Sequence, residues 1–179
     1  MFWQLILLNI NILKCCILTE INLKYPPKYF SEPMNAVLKK MNLKEQKYLL
    51  IINAPEEFLP LLKDFTDDRK IVPKYNDIDV VEFAIIFVKS EEEISQNAKL
   101  VFNKAKVDAI IWFAYPKKSS KKYKVAINRD SGWNSIGEYG YEPVRQVAID
   151  ADWSALRFKP LDKIKNLTRR EEMLLTKRK

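Results

Sequence analysis

The fold is decided by residues 107–133, which read VDAIIWFAYPKKSSKKYKVAINRDSGW. An apolar run over 109–114 ends at Pro116 and opens into a lysine-rich loop, 117–124, which a predicted helix follows. A buried strand that ends in a charged loop and leads into a helix is typical of open α/β sheets, which bind ligands at the carboxyl ends of their strands. The stretch therefore predicts where a binding site lies, but it indicates no reaction.

Composition narrows the classes of protein. A chain of 179 residues with 47% hydrophobic residues is expected to form one folded domain. The chain has three glycines, all from Gly132 onward, so the first 131 residues contain no glycine-rich loop for a pyrophosphate. It has no histidine, which excludes Ser-His-Asp catalysis and histidine-bound metals, and no metal is expected. The adjacent Cys15 and Cys16 fit a reduced compartment, and a cytoplasmic location is predicted.

The net charge of +8 is unevenly spread. Residues 157–179 hold nine basic and three acidic side chains, and loop 117–124 holds five lysines and no acid. This pattern has two interpretations. The basic residues form a solvated tail and a solvated loop, or they form a surface that attracts nucleic acid, nucleotides or anionic lipid.

The chain begins with an apolar segment, 1–18, that polar residues such as Lys14 interrupt. It lacks the flanks of a signal peptide and the unbroken length of a membrane helix. Three explanations remain open: translation starts at Met34, the segment anchors the protein to a membrane, or it is an extra element. The predicted organisation is an apolar extension and linker (1–33), a single α/β domain (34–160) and a basic tail (161–179).

Alternating strands and helices predict an α/β fold, a Rossmann-like three-layer domain with a mostly parallel sheet that ends in an antiparallel hairpin. Strands are expected over 47–53, 71–72, 83–88 and 108–114, with the hairpin at 141–149 and 153–158. Four helices are expected: one over 34–42, one that starts at Pro55, one that starts at Ser90, and one from 130 or 131 to about 140. The helix from Pro55 is expected to bury Phe58, Leu61, Leu62 and Phe65.

The two later helices carry end signals. Ser90 with Glu93 three residues on is a capping box. The helix that it opens has an apolar stripe at Ile94, Ala98, Val101 and Ala105. The next helix is expected to be capped by Asp130 or Ser131 and to end at a left-handed Gly140.

Three motifs resemble the signatures of a small bacterial family of unknown function: AYPKKSS (114–120), NRDSGW (128–133) and VRQVAIDADWSALRF (144–158). NAPEEF (53–58) matches the first strand–helix turn of that family, and the resemblance covers about residues 34–165. It implies a fold similar to the Rossmann-like sheet of S-adenosylmethionine-dependent methyltransferases. The chain departs from the methyltransferase pattern at 53–56, where a glycine-rich turn is replaced by NAPE. The carboxylates of Glu56 and Glu57 argue against S-adenosylmethionine binding by that route.

Parallel strands bring their carboxyl ends to one rim of the sheet, and this rim defines the candidate ligand contacts. Lysine charge and serine hydroxyls suit phosphate or carboxylate, an arginine can clamp either one, and tryptophans can stack on bases. The structural alternatives are an exposed lysine-rich turn, a local Arg–Asp ion pair and core packing of the tryptophans. The candidates are Asn53, Tyr115, Lys117, Lys118, Ser119, Ser120, Arg129, Asp130, Trp133 and Trp153.

Three functions fit these residues. The preferred hypothesis is a non-catalytic module that binds an anionic small molecule or a nucleic-acid phosphate. The second is a divergent methyltransferase-type enzyme, in which Tyr115, Lys117 or Asp130 would carry acid–base chemistry. The third is an interaction protein that contacts a partner or nucleic acid through its tail, 161–179. Membrane contact through 1–18 is a further, less favoured expectation.

Overall fold

The computed structural model describes residues 33–62, 69–166 and 170–177. The strands are β1 (Tyr48–Ile52), β2 (Lys70–Val72), β3 (Val81–Phe87), β4 (Ala105–Pro116), β5 (Tyr141–Ala148) and β6 (Trp153–Pro160). The α-helices are α1 (Pro33–Lys40), α2 (Leu59–Leu62), α3 (Glu91–Phe102) and α4 (Asn134–Gly137). Short 3₁₀ turns span Glu56–Phe58, Tyr75–Asp77, Leu161–Lys163, Glu171–Met173 and Leu175–Lys177. The chain divides after Ala36, and every contact given below lies within Val37–Lys179.

The six strands form one sheet in the order β2-β1-β3-β4-β6-β5. The first four strands pair in parallel. Strand β6 is antiparallel to both β4 and β5, so β5 runs in the same direction as the first four. The predicted mostly parallel α/β sheet with an antiparallel hairpin is therefore confirmed. The second strand of the hairpin is the inner one, because β6 carries the more continuously buried sequence.

One face of the sheet packs against α3. Ile94, Ala98 and Val101 of that helix share a buried cluster with Ile111 and Phe113 of β4. The predicted apolar stripe is confirmed for its three helical members, which follow the period of a helix. Its fourth member, Ala105, instead begins β4.

The other face has its own buried layer. The indole Nε1 of Trp112 donates to the backbone oxygen of Met41, which follows α1, at 2.9 Å. Phe58, from the turn after β1, packs on Phe87 with ring centroids 4.8 Å apart. Buried side chains on both faces explain why the central strands read as continuous apolar runs.

The capping box at α3 is confirmed. The hydroxyl of Ser90 accepts a hydrogen bond from the backbone N–H of Glu93 at 3.2 Å. The carboxylate of Glu93 accepts in turn from the backbone N–H of Lys89 at 2.7 Å. Two backbone donors at the start of the helix are thereby satisfied.

The start of α4 differs from the prediction, because Trp133 and not Asp130 or Ser131 occupies the position before the helix. Asn128 explains the difference. Its side-chain oxygen accepts from the backbone N–H of Asp130 at 2.9 Å, and its amide nitrogen donates to the hydroxyl of Ser131 at 2.6 Å. This local turn competes with helix formation. Gly140 has the predicted left-handed conformation, φ +76°, but the helix ends three residues earlier, at Gly137, with Glu138 as its C-cap.

The predicted domain boundaries stay predictions, but part of the basic tail is buried. Leu174 and Leu175 have 2% and 4% of their surface exposed. The backbone N–H of Thr176 donates to the carboxylate of the buried Glu142 at 2.8 Å. This end of the chain is therefore packed on the domain.

Two predictions fall outside the described residues: the extension and linker over 1–32, and the burial of Phe65. The structure places Leu61 and Leu62 at intermediate exposure, whereas Phe58 is buried as predicted. Within the described ranges, none of the helices has the length and hydrophobicity needed to span a bilayer.

Candidate functional site

The strand order creates a switch point between β1 and β3. The chain leaves β1 toward β2 on one side and then returns to build β3 on the other side. Open α/β sheets bind ligands outside the carboxyl ends of such a pair, because the two connections diverge and leave a crevice. Asn53, the residue after β1, has a left-handed conformation, φ +54°, which asparagine tolerates better than most residues. Its side-chain amide donates to the backbone oxygen of Phe87 at 3.5 Å, across the switch point.

Beside Asn53, the carboxylate of Glu57 accepts three side-chain hydrogen bonds. The donors are the ammonium of Lys122 at 2.9 Å, the hydroxyl of Tyr123 at 2.8 Å and the indole of Trp153 at 3.2 Å. The hydrogen bond from Lys122 is the main reason why the pKa of Glu57 falls from 4.5 to about 2. We call these four residues the Glu57 cluster.

Aromatic rings fill the space under the Glu57 cluster. The ring of Tyr123 meets that of Trp153 at 5.0 Å between centroids, and Trp153 meets Phe87 at 5.1 Å. The ammonium of Lys89 lies 4.9 Å from the centroid of the Tyr123 ring, within the range of a cation–π contact. Side chains of the protein thus occupy the position directly over the tip of β3.

An open cleft of about 560 Å³ lies next to this cluster, between the amino end of α3 and residues 122–127. We call it the switch-point cleft; its lining comes from the connections that follow β3 and β4 and includes no residue of 48–57. Its lining is of mixed charge, with three lysines and two glutamates. The lining residues are Lys89, Ser90, Glu91, Glu92, Lys122, Tyr123, Lys124, Val125, Ala126 and Ile127.

The loop after β4 is fastened to the turn between β5 and β6. The ammonium of Lys117 donates to the backbone oxygen of Asp150. The backbone N–H of Lys117 donates to the backbone oxygen of Asp152 at 2.7 Å. The hydroxyl of Ser120 donates to the carboxylate of Asp152 at 2.6 Å. Two of the four predicted phosphate contacts are therefore engaged within the protein. The other two, Lys118 and Ser119, are exposed and do not line the switch-point cleft.

Tyr115 and Trp133 are part of the core, with 3% and 2% of their surface exposed. The hydroxyl of Tyr115 accepts from the side-chain amide of Gln146 at 3.0 Å, and burial raises the pKa of this tyrosine. The indole of Trp133 donates to the backbone oxygen of Asn128 at 2.7 Å. Burial of Trp133 favours its alternative role in packing over stacking on a ligand.

Arg129 and Asp130 form an ion pair at 3.8 Å on the surface, with 65% and 79% of their side chains exposed. The three groups named for acid–base chemistry thus have separate surroundings: Asp130 is exposed, Tyr115 is buried and Lys117 is bonded to Asp150. Among the described residues they do not form a catalytic arrangement, and no group of three or more acidic, histidine or cysteine side chains could hold a metal ion.

Of the ten predicted contacts, Asn53 and Trp153 lie at the switch point. The sequence did not predict that Glu57 would gather Lys122, Tyr123 and Trp153. The spacing of these residues along the chain carries no signal for the contact, because their partners in the fold depend on the strand order.

No family model matches the chain, and no curated protein sequence matches it. Solved structures similar to this chain include two that are described as S-adenosylmethionine-dependent methyltransferases. One from Clostridium acetobutylicum has 11% identity and a TM-score of 0.46 over 85% of this chain and 99% of its own. One from Aquifex aeolicus has 16% identity and a TM-score of 0.47 over 76% of this chain and 94% of its own. LepI in complex with S-adenosylmethionine has 7% identity and a TM-score of 0.45 over 73% of this chain, which spans 40% of LepI.

Proposed function

We propose that this protein binds a small anionic ligand, of the phosphate or nucleotide type, in the switch-point cleft. The observation that carries the proposal is the convergence of Lys89, Lys122 and Lys124 on one cleft at the carboxyl edge of the sheet. Lysine ammonium groups attract phosphate as point charges. The start of α3 borders the same cleft; its peptide dipole favours anions, whereas the carboxylates of Glu91 and Glu92 in its first turn oppose them.

The three lysines are not equivalent. Lys122 already pairs with Glu57, so part of its charge is neutralised within the protein. Lys89 lies over the Tyr123 ring, and Lys124 is exposed at the rim of the cleft. The charge that an incoming phosphate meets is therefore supplied chiefly by Lys89 and Lys124.

The proposal shifts the ligand contacts from those that the sequence suggested. Lys117 and Ser120 hold the loop to Asp150 and Asp152, so they support the site by fixing the start of residues 117–127. Contact of the ligand with Asn53, Lys118 or Arg129 remains a prediction. Trp153 has 0% of its surface exposed, so its ring, like that of Trp133, packs within the protein.

Calorimetric titration with inorganic pyrophosphate and ADP tests this proposal. Lys124→Gln and Lys89→Gln remove one positive charge each from the cleft. We expect each to weaken binding about tenfold, since a hydrogen bond to a charged group contributes about 1.5–3 kcal/mol. The matched control is Lys99→Gln, an exposed lysine in the last turn of the same helix, which should bind as the wild type does.

Equal affinity of all three variants and the wild type would contradict the proposal, as would the absence of any heat with both ligands. Binding that weakens in Lys99→Gln as much as in Lys124→Gln would indicate general attraction to a basic surface instead of this cleft.

A second candidate is group transfer of the methyltransferase type. The observation that favours it is the mixed charge of the cleft, where Glu91 and Glu92 face the same space as the lysines. S-adenosylmethionine carries a sulfonium, an ammonium and a carboxylate, so a lining of both signs could pair with it. We also propose, as part of this second candidate, that the chain is a member of the bacterial family that its motifs resemble.

Titration with S-adenosylmethionine and with S-adenosylhomocysteine separates the two candidates. The double substitution Glu91→Gln/Glu92→Gln should weaken the binding of S-adenosylmethionine, which has the sulfonium, more than the binding of S-adenosylhomocysteine, which lacks it. The same double substitution should strengthen pyrophosphate binding if the ligand is an anion. The sign of the effect on each ligand therefore decides between the candidates.

A further inference from the structure

Two arginines lie directly opposite each other on the hairpin. Arg145 of β5 is the register partner of Arg157 of β6. Directly opposed residues of antiparallel strands have Cβ atoms about 4.5–5.5 Å apart, and like charges in such a pair destabilise the sheet. We call Arg145 and Arg157 the arginine pair.

The strand alternation places this pair on the sheet face opposite α3. Leu156 and Phe158, the neighbours of Arg157, belong to the buried cluster that includes the helix. Successive side chains of a strand point to opposite faces, so Arg157 points to the other one. Gln146, the neighbour of Arg145, points to the α3 face, because its amide donates to the hydroxyl of Tyr115 in the same buried cluster. Arg145 therefore points to the opposite face, as Arg157 does.

Nothing acidic among the described residues neutralises the pair. On the same face of β6, Arg157 is flanked by Ala155 and Lys159, and its register partner on β4 is Trp112. The carboxylate registered with Lys159 belongs to Glu142; one of its oxygens accepts from the backbone N–H of Thr176, and the other is buried without a hydrogen-bond partner and forms no ion pair with either arginine. None of the salt bridges found between described residues includes either arginine.

Arg157 also has an unused donor. Its Nε is buried and has no hydrogen-bond partner, although the residue as a whole is half-buried. A buried donor without a partner is rare in folded proteins because it loses its bonds to water. Burial, and secondly the charge of Arg145, lower the pKa of Arg157, in line with a guanidinium that lacks a counter-charge.

We propose that the arginine pair is a binding site for a phosphate-type oxyanion. Such an ion accepts hydrogen bonds from the forked donors of two guanidiniums at once, removes their repulsion and supplies an acceptor for the buried Nε. Arg145 is exposed, so the ion reaches the pair from solvent. A bound anion would resolve both the repulsion and the unpaired donor.

The site is separate from the switch-point cleft. Arg157 pairs with Trp112, four residues before the carboxyl end of β4, so it lies on the face of the sheet about 13 Å back from the edge. The switch-point cleft borders α3, on the opposite face. Neither arginine lines that cleft, so a substitution in one site leaves the charges of the other in place.

Thermal unfolding of the full chain in inorganic phosphate, against sodium chloride at equal ionic strength, tests the site. We expect phosphate to raise the unfolding temperature of the wild type more than chloride does. Arg145→Gln should weaken the apparent phosphate affinity about tenfold. Without phosphate, this variant should unfold at the same temperature as the wild type or a higher one, because the repulsion is gone. This second result distinguishes an anion site from a structural contact.

Arg170→Gln is the matched control, since Arg170 is an exposed arginine elsewhere on the domain, and it should keep the wild-type response. A Lys89→Gln/Lys124→Gln background removes the lysines of the switch-point cleft and should keep the effect of Arg145→Gln. The proposal is overturned if Arg145→Gln responds to phosphate as the wild type does in that background. It is equally overturned if Arg145→Gln already unfolds at a lower temperature without phosphate.

Discussion

The indole Nε1 of Trp153 lies 3.2 Å from a carboxylate oxygen of Glu57, a residue 96 positions earlier in the chain. This contact joins the first strand–helix turn to the start of the last strand. Lys122 and Tyr123 reach the same carboxylate from the loop after β4. One ionised side chain therefore connects three segments at the carboxyl edge of the sheet, next to the cleft that we propose as the ligand site.

The first prediction concerns Glu57→Gln. The amide keeps the shape but loses the charge-assisted hydrogen bonds, so we expect a loss of about 1 kcal/mol in the free energy of unfolding at pH 7. Chemical denaturation measures it. The exposed neighbour Glu56 gives the control, since Glu56→Gln should change stability by less than about 0.5 kcal/mol.

The same variant has a predicted pH dependence. Because Lys122 and the other donors depress the pKa of Glu57 from 4.5 to about 2 in the folded protein, the ionised carboxylate contributes stability above pH 4.5. That contribution is lost as the pH falls from 4.5 toward 2. The stability difference between the wild type and Glu57→Gln should therefore shrink over this interval. A difference that stays constant from pH 7 to pH 3 would argue against the cluster.

The cap of α3 gives a second prediction. Ser90→Ala removes the acceptor for the backbone N–H of Glu93, and we expect a loss of about 1 kcal/mol of stability. Ser95→Ala makes the same chemical change at an exposed position inside the helix, where alanine is the better helix former. It should be neutral or slightly stabilising. Equal effects of the two substitutions in urea denaturation would contradict the assigned cap.

Two glycines give a third prediction, because they are required for different reasons. A Cβ on Gly137 would lie 2.2 Å from the backbone oxygen of Leu175, so Gly137→Ala must displace the packed end of the chain. We expect it to cost about 1–3 kcal/mol. Gly140 has φ +76°, and a Cβ added there would meet no atom within 4 Å. Asparagine tolerates that conformation, so Gly140→Asn should cost less stability than Gly137→Ala. Thermal unfolding measures both variants. A larger loss of stability in Gly140→Asn than in Gly137→Ala would contradict this account.

The buried Leu174 and Leu175 change how a role of the basic tail is tested. Deleting 161–179 would remove this packing and lower stability by itself, which would confuse any loss of binding. Charge substitutions at exposed tail positions such as Lys163→Gln and Lys165→Gln keep the packing. If the tail contacts nucleic acid, each should weaken binding and reduce its salt dependence without a change in unfolding temperature.

Local patterns were sufficient for most of the fold. Continuous apolar runs marked β3 and β4, and the Ser90–Glu93 pair marked the start of α3, because these features depend on residues close in sequence. The predicted start of α4 was wrong because Asn128 forms a competing turn, which the cap preferences of Asp130 and Ser131 do not reveal.

The site was less predictable for a physical reason. The Glu57 cluster joins residues 65 to 96 positions apart, and only the strand order brings them together. Lys117 and Ser120 follow the end of β4 in sequence, but the acceptors that engage them, Asp150 and Asp152, come from a turn more than 30 residues later. Charge patterns show which residues are basic, but not which of them the fold engages in hydrogen bonds within the protein.

Mapping of backbone amide chemical shifts during titration with ADP tests the central claim most directly. The account predicts that the largest changes cluster at residues 89–92 and 122–127, the two segments that line the switch-point cleft. Largest changes elsewhere, with these two segments unmoved at saturation, would contradict it.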